Sequence, residues 1–243
     1  MDLYDTEYWI DKKSDDSPVT KADHLSEEVI LNKLPKENIG LLAEESGFKS
    51  KILKQNWIID PLDGTKDFLQ GTDEFAIMIG LLKEGSPVLG VIYSPATKEF
   101  LYAIEGQGAY LKNEKGQSAI SVSQIDKLSE YRMVISRNHF REKDKNIAEQ
   151  LGVSDFRPVG SVGIKYSTLA RGDADICIYS TGALGLWDCC APQIILEEAG
   201  GNVMDLRGKE PFYNLNSKKM ENGFVGTNGK NKKEIVKILR KNN

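Results

Sequence analysis

Apolar positions along this chain alternate between two periodicities, and the expected elements follow from them. Residues 1–17 are mostly polar, with at most a short strand around Tyr8-Trp9-Ile10. From Lys21 to Leu34, the positions Ala22, Leu25, Val29, Ile30 and Leu34 keep the spacing of an amphipathic helix, which Pro35 ends. Ile39–Ala43 reads as a strand running directly into Glu44-Glu45-Ser46-Gly47. A second apolar run, Trp57-Ile58-Ile59, reads as a strand that stops at Asp60. It is followed by the turn Pro61-Leu62-Asp63-Gly64 and a short helix from Thr65.

Phe75–Leu82 and Pro87–Ser94 form a hairpin pattern around Glu84-Gly85-Ser86, and Phe100–Ile104 and Gly108–Leu111 extend it. The first half thus predicts one or two helices on an antiparallel sheet. The texture changes at the polar stretch Gln124–Glu130, which divides the chain into an α+β domain over 1–125 and an α/β domain over 126–243. The second half predicts strands at Met133–Ser136, Ala174–Tyr179, Asn202–Leu206 and Phe224–Gly226. Helices are expected around 145–151, 163–170, 189–199 and 232–240, covering a mixed sheet.

Composition narrows the function classes. With 243 residues, 40% of them hydrophobic and 28% charged, the chain can bury a sizeable core. A net charge of -4 provides no bulk attraction for nucleic acid or an anionic membrane, and the lysine-rich C-terminal helix reads as a solvated face. No apolar run reaches the roughly 18 residues of a bilayer span, and the acidic start lacks a signal-peptide core. Three cysteines, Cys177, Cys189 and Cys190, make neither a disulfide framework nor a zinc pattern. A cytoplasmic protein without nucleic-acid or membrane partners is expected.

Candidate chemistry lies in acidic residues at the ends of these elements: Asp23, Glu44, Glu45, Asp60, Asp63 and Asp188. Any one alone reads as a helix cap or an Asx turn, and Asp188 before Cys189-Cys190-Ala191-Pro192 is a fair N-cap. Two adjacent glutamates at an apolar strand end are costly unless a cation compensates them. Asp60 and Asp63 flank a proline turn and can face one small volume. Carboxylates without histidine or cysteine partners suit Mg²⁺ or Mn²⁺ rather than Zn²⁺.

The segments Ser17-Pro18-Val19-Thr20-Lys21-Ala22-Asp23, Ala43-Glu44-Glu45-Ser46-Gly47, Asp60-Pro61-Leu62-Asp63-Gly64-Thr65 and Trp187-Asp188-Cys189-Cys190-Ala191-Pro192 with Gly200-Gly201 carry a resemblance. In order and spacing they are similar to the signatures of the lithium-sensitive, Mg²⁺-dependent phosphatase superfamily that contains inositol monophosphatase. Three details resemble its 3'(2'),5'-bisphosphate nucleotidases: Lys66-Asp67-Phe68, Ser136-Arg137-Asn138-His139 and Gly160-Ser161-Val162-Gly163-Ile164-Lys165. Read without the resemblance, Lys66 is a surface residue and His139 a loop histidine. Superfamily members usually carry a long helix ahead of the first segment, where this chain has 16 mostly polar residues. A shortened start would explain the difference, and the difference bears on stability and subunit contacts rather than chemistry.

The resemblance implies an α+β / α/β architecture, a layered α-β-α-β-α sandwich of the inositol-monophosphatase/fructose-bisphosphatase type. It implies two or three Mg²⁺ ions, with Mn²⁺ as a substitute. One would be held by Glu44, Asp60 and the Leu62 carbonyl, a second by Asp60, Asp63 and Asp188, and a weaker third by Glu44 and Asp23 through waters. Thr65 and Asp23 would activate the attacking water, Glu45 would orient water, and Gly64 and Thr65 would hold the phosphoryl group. Ser161, Lys165 and His139 would contact the nucleotide side of the substrate. The implied reaction removes the 3'-phosphate of adenosine 3',5'-bisphosphate without a covalent intermediate, in a monomer or homodimer. An inositol-1-phosphate or broad sugar-phosphate phosphatase is the enzymatic alternative, and a catalytically silent binding protein of the same fold the other.

Overall fold

The computed structural model describes residues 10–12, 18–35, 37–138, 140–180 and 184–242. Tyr8, Trp9 and His139 lie outside the described residues. The chain opens with a small antiparallel pair, β1 (Ile10–Lys12) and β2 (Pro18–Thr20), and passes into α1 (Lys21–Lys33). Thr20 caps α1: its hydroxyl accepts from the Ala22 N–H, and its own N–H donates to Asp23 Oδ2 over 2.7 Å, completing a capping box.

The buried face of α1 differs from the one its apolar spacing predicts. Leu25 and Val29 are 41% and 62% exposed, whereas Asp23 and Glu27 are buried. Positions 23, 27, 30, 31 and 34 share one face. At one end that face presents two carboxylates; further along, Ile30, Leu31 and Leu34 pack on Trp57 and Leu41.

The first sheet has eight strands in the order β10-β9-β8-β7-β6-β5-β3-β4. In chain order these are β3 (Gly40–Ala43), β4 (Gly47–Phe48), β5 (Gln55–Asp63), β6 (Ala76–Lys83), β7 (Ser86–Ser94), β8 (Glu99–Ile104), β9 (Ala109–Asn113) and β10 (Gly116–Ala119). The short helix α2 (Thr65–Gln70) lies between β5 and β6. The sheet is antiparallel except where β3 runs parallel to β5.

Strand β5 does not end at Asp60, as the sequence suggests. It continues to Asp63 through a register shift, with Asp60 opposite Met78 and Asp63 opposite Ala76. Two residues on β5, Pro61 and Leu62, thus oppose the single Ile77 of β6, which is a β-bulge. A bulge accommodates Pro61, which has no N–H to offer a ladder. It also changes the facing of the aspartates, because residues three apart on a regular strand point to opposite sides.

The second sheet has the order β12-β11-β13-β15-β14, from β11 (Arg132–Ser136), β12 (Asp155–Val159), β13 (Ile176–Tyr179), β14 (Asn202–Met204) and β15 (Phe224–Thr227). It is mixed: β11 pairs in parallel with β12 and β13, and β15 pairs antiparallel with β13 and β14. The short strands β10 and β12 go unrecognised in the sequence because each lacks a clear apolar run.

Helices α4 (Val162–Ala170) and α5 (Cys190–Glu198) pack between the sheets, while α3 (Glu142–Leu151) and α6 (Lys232–Lys241) cover the outer side of the second sheet. With α1 on the far face of the first sheet, the layers are α-β-α-β-α. A β-carbon on Gly80 of β6 would lie 2.5 Å from the Cys190 sulfur, so the bare backbone there admits α5. Cys189 and Cys190 are packing residues of this middle layer, their thiols pushed up by burial. The central core includes Ile92 and Leu101 from the first sheet, Ile195 from α5 and Phe224 from the second. It therefore draws residues from both sides of the polar stretch near residue 125.

Candidate metal centre

Four element ends converge on one acidic volume. β5 delivers Asp60 and Asp63 from its bulge, and Asp188 arrives just before α5. One oxygen from each of these three lies within 4.8 Å of the others. Glu44 follows β3, and its N–H donates to the Ile59 carbonyl over 3.1 Å, holding it beside β5. The Glu44 side chain is hydrogen-bonded to Asp60. Asp23, at the start of α1, accepts the Thr65 hydroxyl through Oδ1 over 3.0 Å.

Each carboxylate is oriented by further contacts. Asp60 Oδ1 accepts the Leu62 N–H over 3.0 Å, which closes the bulge. Asp63 Oδ2 accepts the Gly163 N–H over 2.6 Å and the Ser161 hydroxyl. Asp188 Oδ2 accepts the Gly185 N–H over 2.7 Å. The N-cap position of α5 belongs to Cys189, which makes no side-chain cap bond, so Asp188 is not the helix cap that its sequence context also allows.

The electrostatics match a cation site. Burial pushes the Asp60 carboxyl well above the usual carboxylate range, and the charges of Glu44, Asp63 and Asp188 add to that. Burial does the same to Asp188, assisted by Asp63 and Glu44. Asp60 also shares a hydrogen bond with Asp188. Two carboxylates in contact need a proton or a cation between them. All the donors are hard oxygens, the set that divalent magnesium or manganese takes.

Other predicted residues fall around this centre. Gly64 caps α2 in the left-handed region at φ 87°, and Ser161 packs against it. The Thr65 hydroxyl lies 3.2 Å from the Leu62 carbonyl as well as facing Asp23. Glu45 follows Glu44 and donates its N–H to Glu27 Oε2 over 3.1 Å. Lys165 is almost wholly buried: its Nζ donates to the Val159 and Gly160 carbonyls, each at 3.0 Å, and burial lowers its pKa. Two of its three donors are thus committed to the backbone before α4.

Sequence reasoning missed Glu27, Glu74 and the role of the Gly163 N–H. Glu27 stands one helical turn beyond Asp23 on the same face, and that spacing is a usable signal. Glu74 lies in a polar loop with no pattern of its own.

A layered α-β-α-β-α fold holding this carboxylate centre defines a metal-dependent phosphatase of one superfamily. The inositol monophosphatase family model matches residues 2–243, and the chain belongs to that family. Among curated relatives, the chain is 34% identical over 218 residues to the 3'(2'),5'-bisphosphate nucleotidase CysQ of Salmonella typhimurium, covering 88% of this chain and 86% of the relative. It is 31% identical over 229 residues to the CysQ nucleotidase of Aggregatibacter actinomycetemcomitans, covering 92% and 85%. Among solved structures, a Thermotoga maritima IMPase superposes with a TM-score of 0.82 at 28% identity over 99% of this chain and 90% of that one. The extragenic suppressor protein SuhB of Bartonella henselae gives 0.82 at 27% identity, over 97% and 89%. Among the described residues, no helix is long and apolar enough to cross a membrane.

Proposed function

We propose that this protein hydrolyses the 3'-phosphate of adenosine 3',5'-bisphosphate, releasing AMP and phosphate, with Mg²⁺ as the working cation and Mn²⁺ as a substitute. The observation that carries the phosphatase chemistry is the meeting of Asp60, Asp63 and Asp188 within 4.8 Å, beside the Asp23–Thr65 pair. The choice of substrate is supported by the nucleotidase names of the relatives.

Glu44, Asp60, the Leu62 carbonyl, Asp63 and Asp188 would hold the cations. When bound, divalent ions supply Lewis acidity toward a water nucleophile and the phosphoryl and leaving oxygens. Thr65 donates its one hydroxyl hydrogen toward Asp23, which leaves its lone pairs to accept a proton-bearing water. Asp23 receives the proton as the water attacks in line with the leaving 3'-oxygen. Gly64 and Thr65 N–H groups meet the phosphoryl oxygens as charge accumulates there. Glu45 orients water at the edge of the centre. The neighbouring Ser161 segment faces the nucleoside, and Lys165 serves as the support beneath that segment, since two of its three donors are already engaged.

A phosphate-release panel with Mg²⁺, with and without Li⁺, tests the proposal across nucleotide bisphosphates, inositol phosphates and sugar phosphates. Highest kcat/KM on adenosine 3',5'-bisphosphate, lowered by Li⁺, is expected. A clear preference for inositol 1-phosphate would instead favour the reading suggested by the likeness to the Thermotoga IMPase.

A further inference from the structure

A clasp outside the carboxylate centre ties the two sheets' loops together. Glu74 precedes β6, and its Oε2 accepts from Arg137 Nη2 at 2.7 Å, from Arg137 Nε at 3.2 Å and from the Gly160 N–H at 2.6 Å. Arg137, just past β11, also donates through Nη2 to the Pro158 carbonyl and through its N–H to the Val159 carbonyl, each at 3.2 Å. Asp67 of α2 lies 3.9 Å from Arg137 and 3.4 Å from Asn138 Nδ2. The Asp67 carboxylate seats directly against Gly160, where a β-carbon would come within 2.4 Å of it. From below, Lys165 binds the Val159 and Gly160 carbonyls.

The held segment continues into Ser161, which sits at φ 48°, an uncommon conformation for a residue with a side chain. From there its hydroxyl and the Gly163 N–H both reach Oδ2 of Asp63. Surrounding structure must maintain such a conformation, since it is strained when unsupported. The carboxylate cannot turn without losing both of these bonds.

We infer that Glu74, braced by Arg137, is a positioning residue for the cation centre: it fixes residues 158–161 so that Ser161 and Gly163 hold Asp63 in its ligating orientation. The inference rests on the metal-dependent reading of that centre. Groups that orient a ligand are commonly worth 10–100-fold in metal affinity, and Glu74 acts through one further link, so about tenfold is expected.

Calorimetric titration of the full chain with Mg²⁺, repeated with Mn²⁺, tests this directly without substrate. Glu74→Ala should weaken binding about tenfold. Glu74→Gln, which keeps an acceptor for the Gly160 N–H, should recover most of the loss, and Arg137→Ala should show a smaller weakening. At saturating Mg²⁺, kcat of Glu74→Ala should return close to that of the unmodified chain, which a folding defect alone would not allow. If Glu74→Ala fails to fold, the other two variants carry the test. Unchanged affinity in the folded variants, or equal losses for Glu74→Gln and Glu74→Ala, would overturn the inference while leaving the phosphatase reading intact. An unmodified chain that takes up neither ion would overturn both.

Discussion

Thr65 donates its hydroxyl to Oδ1 of Asp23 across 3.0 Å, although 42 positions separate the two in the chain. Asp23 is held for this contact by Thr20, whose N–H and hydroxyl both donate to Oδ2 at 2.7 Å. The residue proposed as proton acceptor is therefore also the N3 residue of the capping box that starts at Thr20. Helix start and proposed catalytic pair share one carboxylate.

Thr65→Ala should lower kcat by roughly 10²–10⁴-fold, the usual worth of a positioned proton-transfer group, with Thr65→Ser restoring much of it. Asp23→Asn should lose activity similarly and also lower the melting temperature, since losing a capping contact costs about 1 kcal/mol. Steady-state kinetics and thermal melts on the same samples separate the two effects. A fully active Asp23→Asn would refute the assigned pair.

Asp60→Asn should abolish Mg²⁺-dependent phosphate release while leaving the metal-free protein as stable as before or more so. The reason is the position of Asp60, buried beside Glu44, Asp63 and Asp188, where its charge is unwelcome without a cation. Melting in EDTA and in Mg²⁺ checks both halves: the rise in melting temperature on adding Mg²⁺ should shrink or vanish in the variant. Retained turnover would exclude the proposed cation scheme and leave the fold assignment standing.

Lys165→Met should reduce kcat/KM by similar factors for a nucleotide bisphosphate and a simple monoester. The Lys165 ammonium supports the Val159 and Gly160 carbonyls. A buried carbonyl left without a partner costs roughly 1–3 kcal/mol; Val159 keeps the Arg137 N–H, so the melting temperature should fall chiefly through the Gly160 carbonyl. A loss confined to the bisphosphate would instead place Lys165 on the second phosphate.

Glu197, near the end of α5, provides a pH test away from the cation centre. Burial raises its pKa from 4.5 to about 7, despite a hydrogen bond from Gln193 that works in the other direction. A carboxyl whose folded pKa is raised binds more protons folded than unfolded, so stability falls as pH rises between those two values. The contribution is complete below 4.5 and lost above about 7. Glu197→Gln should therefore stabilise the protein at pH 8 more than at pH 5, as read by melting temperature against pH. A pH-independent difference would contradict it.

Glu44, Asp60, Asp63 and Asp188 stand out in the sequence because each is a charge at the end of an apolar run, and such a charge needs a partner. Helices α4, α5 and α6 emerge from local periodicity and from their glycine and cysteine boundaries. Glu74 and Arg137 do not stand out, because each is an ordinary polar residue in a loop, and their significance arises only from contact with each other and with Gly160. The buried face of α1 misleads for a related reason. Hydropathy assigns Leu25 and Val29 inward, whereas the site end of the helix buries Asp23 and Glu27.

By itself, then, the sequence determined most of the element order, the family signatures and the set of carboxylates, because strand runs, helix spacing and hard-oxygen donors are local properties of residues. The tertiary structure decided how those donors meet. It continued β5 through a bulge so that two aspartates three apart share a face, and it passed α4 and α5 between the sheets. It also turned Lys165 inward to the backbone and clasped the Ser161 segment through Glu74 and Arg137. These outcomes depend on which distant surfaces pack together, a matter of close-packed volume and satisfied buried polar groups that no window of neighbouring residues contains.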